Sequence, residues 1–188
     1  MSATILCDRQ IRQLANHCMI MPFSEGVKVP GVLSYGLGPF GYDARLGRKF
    51  KVVKSWVEGV IDPKNFDVSC MNDVDVPSGE TFVLPPHGFA LGVTVEKFTM
   101  PCDVTALVLG KSSMARAGLC VNATPLEAGW TGFITLELAN LTPLPIRLYP
   151  DEGIVQVLFF RGEKPEADYT MRGGRYNGQV GPTLPTVA

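Results

Sequence analysis

Histidine is nearly missing from this chain of 188 residues: His17 and His87 are the only two. Neither is followed two positions later by glutamate. The five cysteines, Cys7, Cys18, Cys70, Cys102 and Cys120, contain no C-x-x-C pair, and Pro101-Cys102 lacks the second cysteine that a P-C-x-x-C site needs. A zinc centre of the H-x-E/P-C-x-x-C type is therefore excluded. An odd, scattered set of thiols also fits reduced cysteines better than a disulfide framework, so a cytoplasmic location is expected. No charge of one sign is in excess: 17 Lys and Arg face 18 Asp and Glu, for a net charge of −1. Such a balance gives no general field for nucleic acid, and basic residues here act locally. No apolar run reaches the roughly 20 residues that span a bilayer. Met1 to Ile11 carries Asp8 and Arg9 where a signal peptide would be apolar, so neither leader nor membrane partner is expected.

What is plentiful is glycine and proline, 20 and 15 residues, between many short alternating segments. That composition predicts one mainly β domain over 1–188, a barrel or sandwich. Strands are predicted at Phe50–Val53, Thr81–Leu84, Phe89–Val95, Val104–Leu109, Leu119–Ala123, Gly132–Leu138, Ile146–Tyr149 and Ile154–Phe160. One clear helix is predicted from Asp8 to His17, capped by Asp8, with Ile11, Leu14, Ala15 and Cys18 at helical spacing. Ser24 to Phe40 reads as an irregular Gly/Pro excursion. The glycine-rich C-terminal tail, from about Tyr169 onward, has little to bury and is expected to stay mobile until a ligand arrives.

The informative stretch runs from Gly110 to Glu137, GKSSMARAGLCVNATPLEAGWTGFITLE. Lys111, Ser112, Ser113 and Arg116 fall on a glycine-bounded turn. Serine is a good cap, Met-Ala-Arg-Ala are helix formers, and Gly118 suits the position past a helix end. A helix of one or two turns with its amino end beside Lys111 and two hydroxyls suits an anionic phosphate, although a capped surface turn has the same composition. In the strand that follows, Ile134, Leu136 and Leu138 point one way and Phe133, Thr135 and Glu137 the other. Glu137 is the one charged residue between Thr131 and Ile146. A carboxylate so placed is desolvated and its pKa rises unless a cation such as Arg116 holds it charged; a solvent-facing glutamate on a half-buried strand is the alternative.

These residues resemble the dCTP deaminases of the deaminase/dUTPase superfamily. The resemblance rests on Lys111-Ser112-Ser113, Arg116, Gly118-Leu119, Val121, Thr124, Gly129-Trp130, Gly132, Ile134 and Leu136-Glu137. It extends to Leu6–Arg12, to Tyr42-Asp43-Ala44-Arg45-Leu46-Gly47, to Gly153–Phe160 and to Gly174–Gln179. It implies a distorted, jelly-roll-like β-barrel of the dUTPase type with a short N-terminal helix, assembled as a homotrimer with its sites between subunits. It implies hydrolysis of dCTP to dUTP and ammonia without zinc, feeding dTTP synthesis, with dTTP as feedback inhibitor and Mg²⁺ carried on the triphosphate.

Carried over to this chain, Glu137 would be the general base on the water that attacks C4. Ser112 and a carbonyl of Thr124-Pro125 would place that water, and Arg116 of a neighbouring subunit would orient Glu137. Lys111, Ser112 and Ser113 would contact phosphate, and Tyr169, Arg175 and Gln179 would close over it from the tail. Thr124, Pro125, Glu127 and Trp130 would line the nucleotide site. The loop Thr124–Trp130 is two residues shorter than in relatives that read T-A-x-x-I-D-P-G-W. Glu127 takes the approximate place of their aspartate and Pro125 that of their alanine, which leaves the tolerance for a 5-substituted cytosine open. A bifunctional deaminase and diphosphatase, and a catalytically silent nucleotide-binding trimer, are the alternative readings.

Overall fold

Alternation of buried and exposed side chains organises the chain into two facing sheets. The computed structural model describes residues 4–54 and 59–186. In chain order its elements are β1 (Thr4–Ile5), α1 (Asp8–Ala15), β2 (Ile20–Met21), β3 (Gly36–Leu37), β4 (Tyr42–Arg45), β5 (Lys49–Val53) and, after a 3₁₀ turn, β6 (Met71–Asp75). There follow β7 (Phe82–Leu84), β8 (Phe89–Thr99), β9 (Val104–Gly110), α2 (Ser112–Arg116), β10 (Leu119–Asn122), β11 (Thr131–Asn140), β12 (Ile146–Leu148) and β13 (Gly153–Arg161). The first sheet is built round β13, which pairs with β9 along one side and with β4 and β1 along the other, β3 flanking β4. The second runs β10-β11-β8-β5-β6, with β2 also on β8. β7 and β12 form a separate pair.

The two sheets enclose one contiguous apolar core that includes Leu6, Ile11, Tyr42, Leu46, Phe50, Phe98, Leu136, Leu138, Val157 and Phe159. Phe50 stacks on Phe82 at 4.2 Å, and Phe98 tilts against Phe159 at 6.5 Å between ring centroids. Burying a Leu or Phe side chain stabilises by about 1.5–3 kcal/mol. Leu136 and Leu138 are wholly buried, so a one-residue slip of β11 would expose both and bury Glu137 in their place. The core sets the register, and the register sets which face carries the acid.

All eight strands read from the sequence are present, most of them extended by a residue or more. The mainly β expectation holds. β4 and β6 escaped the pattern because one is a short charged strand and the other, MNDVD, is a polar edge. The helix is real but shorter than predicted, and its cap is Cys7; Asp8 is the first helical residue, and Gln10 Oε1 accepts the Cys7 N–H at 3.1 Å. Cys18 lies outside the helix with φ of 66°. Ser24 to Phe40 is irregular apart from β3 and a bridge between Val27 and Tyr35. All five cysteines are free thiols, and among the described residues no helix is long and apolar enough to cross a membrane.

One buried ion pair ties the sheets together. Arg45 Nε on β4 donates to Glu96 Oε1 on β8 at 2.7 Å, and the Arg45 N–H donates to Oε2 at 2.9 Å. Tyr42 adds its hydroxyl to Oε1 at 3.3 Å. The Glu96 side chain has no exposed surface, so burial pushes its carboxyl up while Arg45 beside it pulls the other way. The Tyr42–Gly47 motif therefore serves this inter-sheet contact.

Candidate active site

Sheet crossing decides where the functional residues fall. β9 belongs to the first sheet and β10 to the second, and α2 is the corner between them. Its capping residue is Lys111 rather than a serine. The Lys111 side chain turns inward and pairs with Asp43 of β4, while Ser112, Ser113 and Arg116 are exposed. Gly118, with φ of 85°, ends the turn as the sequence predicts. Lys111 and Ser113 border an open cleft of about 420 Å³ together with residues of the 28–34 segment, including Lys28 and Ser34.

Glu137 lies elsewhere. It sits half-buried on β11, opposite Leu91 of β8 and Asn122 of β10. It borders a cavity of about 650 Å³. Burial pushes its carboxyl above the ordinary carboxylate value, and a hydrogen bond from Asn122 Nδ2 at 2.6 Å pulls back against that rise. Asn122 is the hydrogen-bonding partner that the chain's own fold gives Glu137, beside the Arg116 that the sequence reading brings from a neighbouring subunit. From Gly118 to Asn122 the chain advances four extended residues, about 13 Å. α2 and the acid are thus at opposite ends of β10, and one chain does not bring Arg116 to Glu137.

The cavity gathers many of the other candidates: Thr124, Pro125, Glu127, Trp130, Tyr169 and Gln179 all border it. Arg175 does not; it is exposed, with Nη1 donating to the Thr186 carbonyl at 3.4 Å. The short 124–130 loop is pinned by buried Leu126, which exchanges backbone hydrogen bonds with Ala106 at 2.8 and 2.9 Å. The opposite wall is apolar, with Val53, Ile61, Phe66, Met71, Phe89 and Leu91. Nothing in the sequence pattern marked that wall, because it comes from β5, β6, β8 and the segment between β5 and β6, and depends on sheet order.

The tail is seated over this cavity. Tyr169 N–H donates to the Ala128 carbonyl at 2.9 Å, and Trp130 Nε1 donates to the Tyr176 carbonyl at 2.8 Å. Gln179 lies parallel to Gly132, its carbonyl accepting the Phe133 N–H at 3.0 Å. Two motif glycines permit this approach. A Cβ on Gly129, whose φ is 80°, would stand 2.7 Å from the Asp168 carboxyl carbon, and one on Gly132, whose φ is 152°, would meet the Gln179 nitrogen at 3.0 Å. Tyr176, Thr183 and Pro185 complete the lining from the tail and were not among the sequence-based candidates.

A family model described as dCTP deaminase-like matches residues 5–162. The chain belongs to the dCTP deaminase-like family. It is 45% identical over 186 residues to the dCTP deaminase of Herpetosiphon aurantiacus, covering 98% of this chain and all of that one. To the dCTP deaminase of Erythrobacter litoralis it is 48% identical over 183 residues, covering 96% and 98%. The fold is similar to the crystal structure of 2'-deoxycytidine 5'-triphosphate deaminase from Agrobacterium tumefaciens, with a TM-score of 0.66 at 22% identity over 86% of this chain. This chain spans about half of that solved chain, 49%. The family match stops at Arg161-Gly162 while the likeness to the two bacterial relatives continues, so the tail over the cavity belongs to the region they share.

Proposed function

We propose that this protein hydrolyses dCTP to dUTP and ammonia, with Glu137 as the general base. The observation that carries the reading is the placement of Glu137: half-buried on β11, with its carboxyl raised by burial, it stands on the wall of a nucleotide-sized cavity. Water at C4 of the cytosine ring gives its proton to Glu137 as the C4–O bond forms. Glu137 passes that proton to N3, then takes the remaining proton from the C4 hydroxyl and gives it to the amine as the C4–N bond breaks and the C4 carbonyl forms, so that dCTP and water leave as dUTP and ammonia. Ser112, carried with Arg116 on α2 of a neighbouring copy, and a carbonyl of Thr124-Pro125 hold the attacking water. Pro125 has no N–H but keeps its carbonyl, and the preceding Thr124 is biased toward extended backbone.

In this proposal the site is completed by another copy of the chain. The separation of α2 from Glu137 supports it, since Arg116 of a neighbour supplies the cation that the chain's own geometry withholds. An apolar strip supports it too: exposed Leu107 and Leu109 on β9, half-buried Leu158 and Phe160 on β13, of which Leu158 pairs with Leu107, and exposed Ile5 of β1, which pairs with Phe160, share one outer face of the first sheet. A homotrimer with three inter-subunit sites accounts for both. Lys111, Ser112 and Ser113 then meet phosphate at the subunit boundary, and Tyr169, Arg175 and Gln179 close from the tail.

Among the described residues no group of three or more His, Cys, Asp or Glu side chains stands as a metal-ligating cluster. Mg²⁺ is proposed to travel on the triphosphate oxygens. dTTP, sharing the pyrimidine and triphosphate, is proposed as a competing inhibitor, and the setting as cytoplasmic.

The test is to incubate purified protein with dCTP and Mg²⁺ and to resolve the nucleotides by chromatography. dUTP with equimolar ammonia supports the reading. dUMP with pyrophosphate moves it to a bifunctional enzyme in which Glu127, on the same cavity, takes part. Unreacted dCTP, 5-substituted dCTP and dUTP overturn it in favour of a silent nucleotide-binding trimer.

A further inference from the structure

We propose that Lys28 is a further phosphate-binding residue: the cleft between the 28–34 loop and α2 takes the triphosphate of the nucleotide, and Lys28 supplies its uncompensated positive charge. The inference rests on the assembly proposed above, in which α2 of one copy completes the site of another, so Lys28 arrives from the same copy as Arg116. Val27 and Tyr35 exchange backbone hydrogen bonds at 2.8 and 3.3 Å, which closes 28–34 into a loop with Lys28 as its first residue. That loop and the start of α2 are held on neighbouring residues of β13. The Gly153 N–H donates to the Leu33 carbonyl at 3.1 Å, and the Lys111 N–H donates to the Ile154 carbonyl at 3.1 Å. A Cβ on Gly153 would stand 2.0 Å from the Ser34 carbonyl oxygen, so glycine there is what lets the loop come so close.

The charges round the cleft favour an anion. Lys28, Lys111, Ser34 and Ser113 border it, and among the described residues no carboxylate does. Lys111 is largely buried and already paired with Asp43, so its charge is offset within the fold. Glu152 is turned to the loop backbone, its Oε2 accepting the Leu33 N–H at 2.8 Å. Lys28 is exposed and has no ion-pair partner among the described residues. Of the two ammonium groups at the cleft, it is the one that no carboxylate offsets.

An ammonium with three donors on a flexible stem meets phosphate oxygens as a point charge. A triphosphate brings several negative charges to the subunit boundary, and Lys111, offset by Asp43, leaves most of them unbalanced. Lys28 answers that deficit from the other side of the cleft. It touches neither the attacking water nor Glu137, and a phosphate contact is made alike in the ground state and the transition state. Its loss therefore falls on KM rather than on kcat.

Lys28→Met keeps nearly the length of the side chain and removes its charge, and Lys28→Arg keeps the charge; both are checked for a cooperative melt. With dCTP and Mg²⁺, Lys28→Met should raise KM about tenfold and change kcat by less than about threefold. Lys28→Arg should stay within about twofold of the wild-type KM. Added KCl should raise the wild-type KM more steeply than that of Lys28→Met, because the variant has one charge contact fewer to screen. An unchanged KM in Lys28→Met, a loss confined to kcat, a KM rise shared by Lys28→Arg, or equal salt dependence overturns the proposal. If wild type fails to turn over dCTP, the functional reading falls, and calorimetric titration with sodium tripolyphosphate decides the cleft separately. Binding that weakens about tenfold in Lys28→Met supports it, and absent or unchanged binding overturns it.

Discussion

Asn122 and Glu137 face one another across the β10–β11 ladder, and the amide of the first donates to the carboxylate of the second at 2.6 Å. The contact opposes the burial that raises the Glu137 pKa. A general base must be ionised, so kcat/KM should fall as pH drops through a value above the ordinary carboxylate range. Asn122→Ala removes the donor that lowers the pKa, and the acid limb of the pH–rate profile should move to higher pH. A limb that stays in place or moves down would show that Asn122 does not tune the base.

Glu137→Gln should lower kcat by about a thousandfold or more while leaving nucleotide binding largely intact, as equilibrium titration with dCTP would measure. Its effect on stability has a definite sign. A carboxyl whose folded-state pKa is raised contributes stability below its unfolded pKa and loses it as pH rises through the folded value. At neutral pH the ionised Glu137 therefore weakens the fold, and the glutamine variant should melt at or above the wild-type temperature there. Retained turnover would remove Glu137 from the mechanism.

Arg116 and Glu137 lie at opposite ends of β10 in one chain, which makes complementation informative. Arg116→Ala alone should lose about 100-fold or more in kcat. When Arg116→Ala and Glu137→Gln chains are refolded together in equal amounts, about a quarter of inter-subunit sites regain both residues by random assembly. Activity near that fraction of wild type is the expected result. A mixture no more active than its components would mean that the two residues do not meet between subunits.

The Arg45–Glu96 pair carries stability rather than turnover. Glu96→Ala leaves Arg45 beside an apolar core without its partner, and breaking a buried pair costs about 3–5 kcal/mol. Urea unfolding should show a loss of that size. Replacing both residues by apolar side chains of similar volume should recover most of it.

Tail closure is open to direct measurement. Arg172 and Arg175 are exposed in the seated tail, and dCTP with Mg²⁺ should slow tryptic cleavage there several-fold if nucleotide holds the segment down. Unchanged cleavage at saturating nucleotide would mean that the tail does not respond to ligand.

Much of this was legible in the residues themselves. The period-two pattern of Ile134, Leu136 and Leu138 placed Glu137 on the opposite face, and the GKSSMARAG turn was placed with a real helix at its centre. Both rest on local chemistry: side-chain alternation, helix propensity and the backbone freedom of Gly118. The errors were local as well. A serine was expected to cap the short helix of this turn, yet Lys111 holds that position, and its side chain pairs with Asp43 of another strand.

Long-range pairing was not legible. Asn122 sits opposite Glu137 because β10 and β11 adopt one register, and the apolar wall exists because the sheet order brings β8, β5, β6 and the segment between the last two to the same cavity. The Glu96 partner of Arg45 lies on a strand 51 residues away, and Thr135 meets Gln179 only because Gly132 lets the tail approach. By itself the sequence determined the chemistry available: one isolated carboxylate, one basic turn and a chain built of short strands. Tertiary structure alone decided which of these meet, because sheet order and register depend on burying the whole apolar core at once. Within one chain that choice separated Arg116 from Glu137, set Asn122 against the acid, and brought Thr135 and the tail to the cavity that the acid borders.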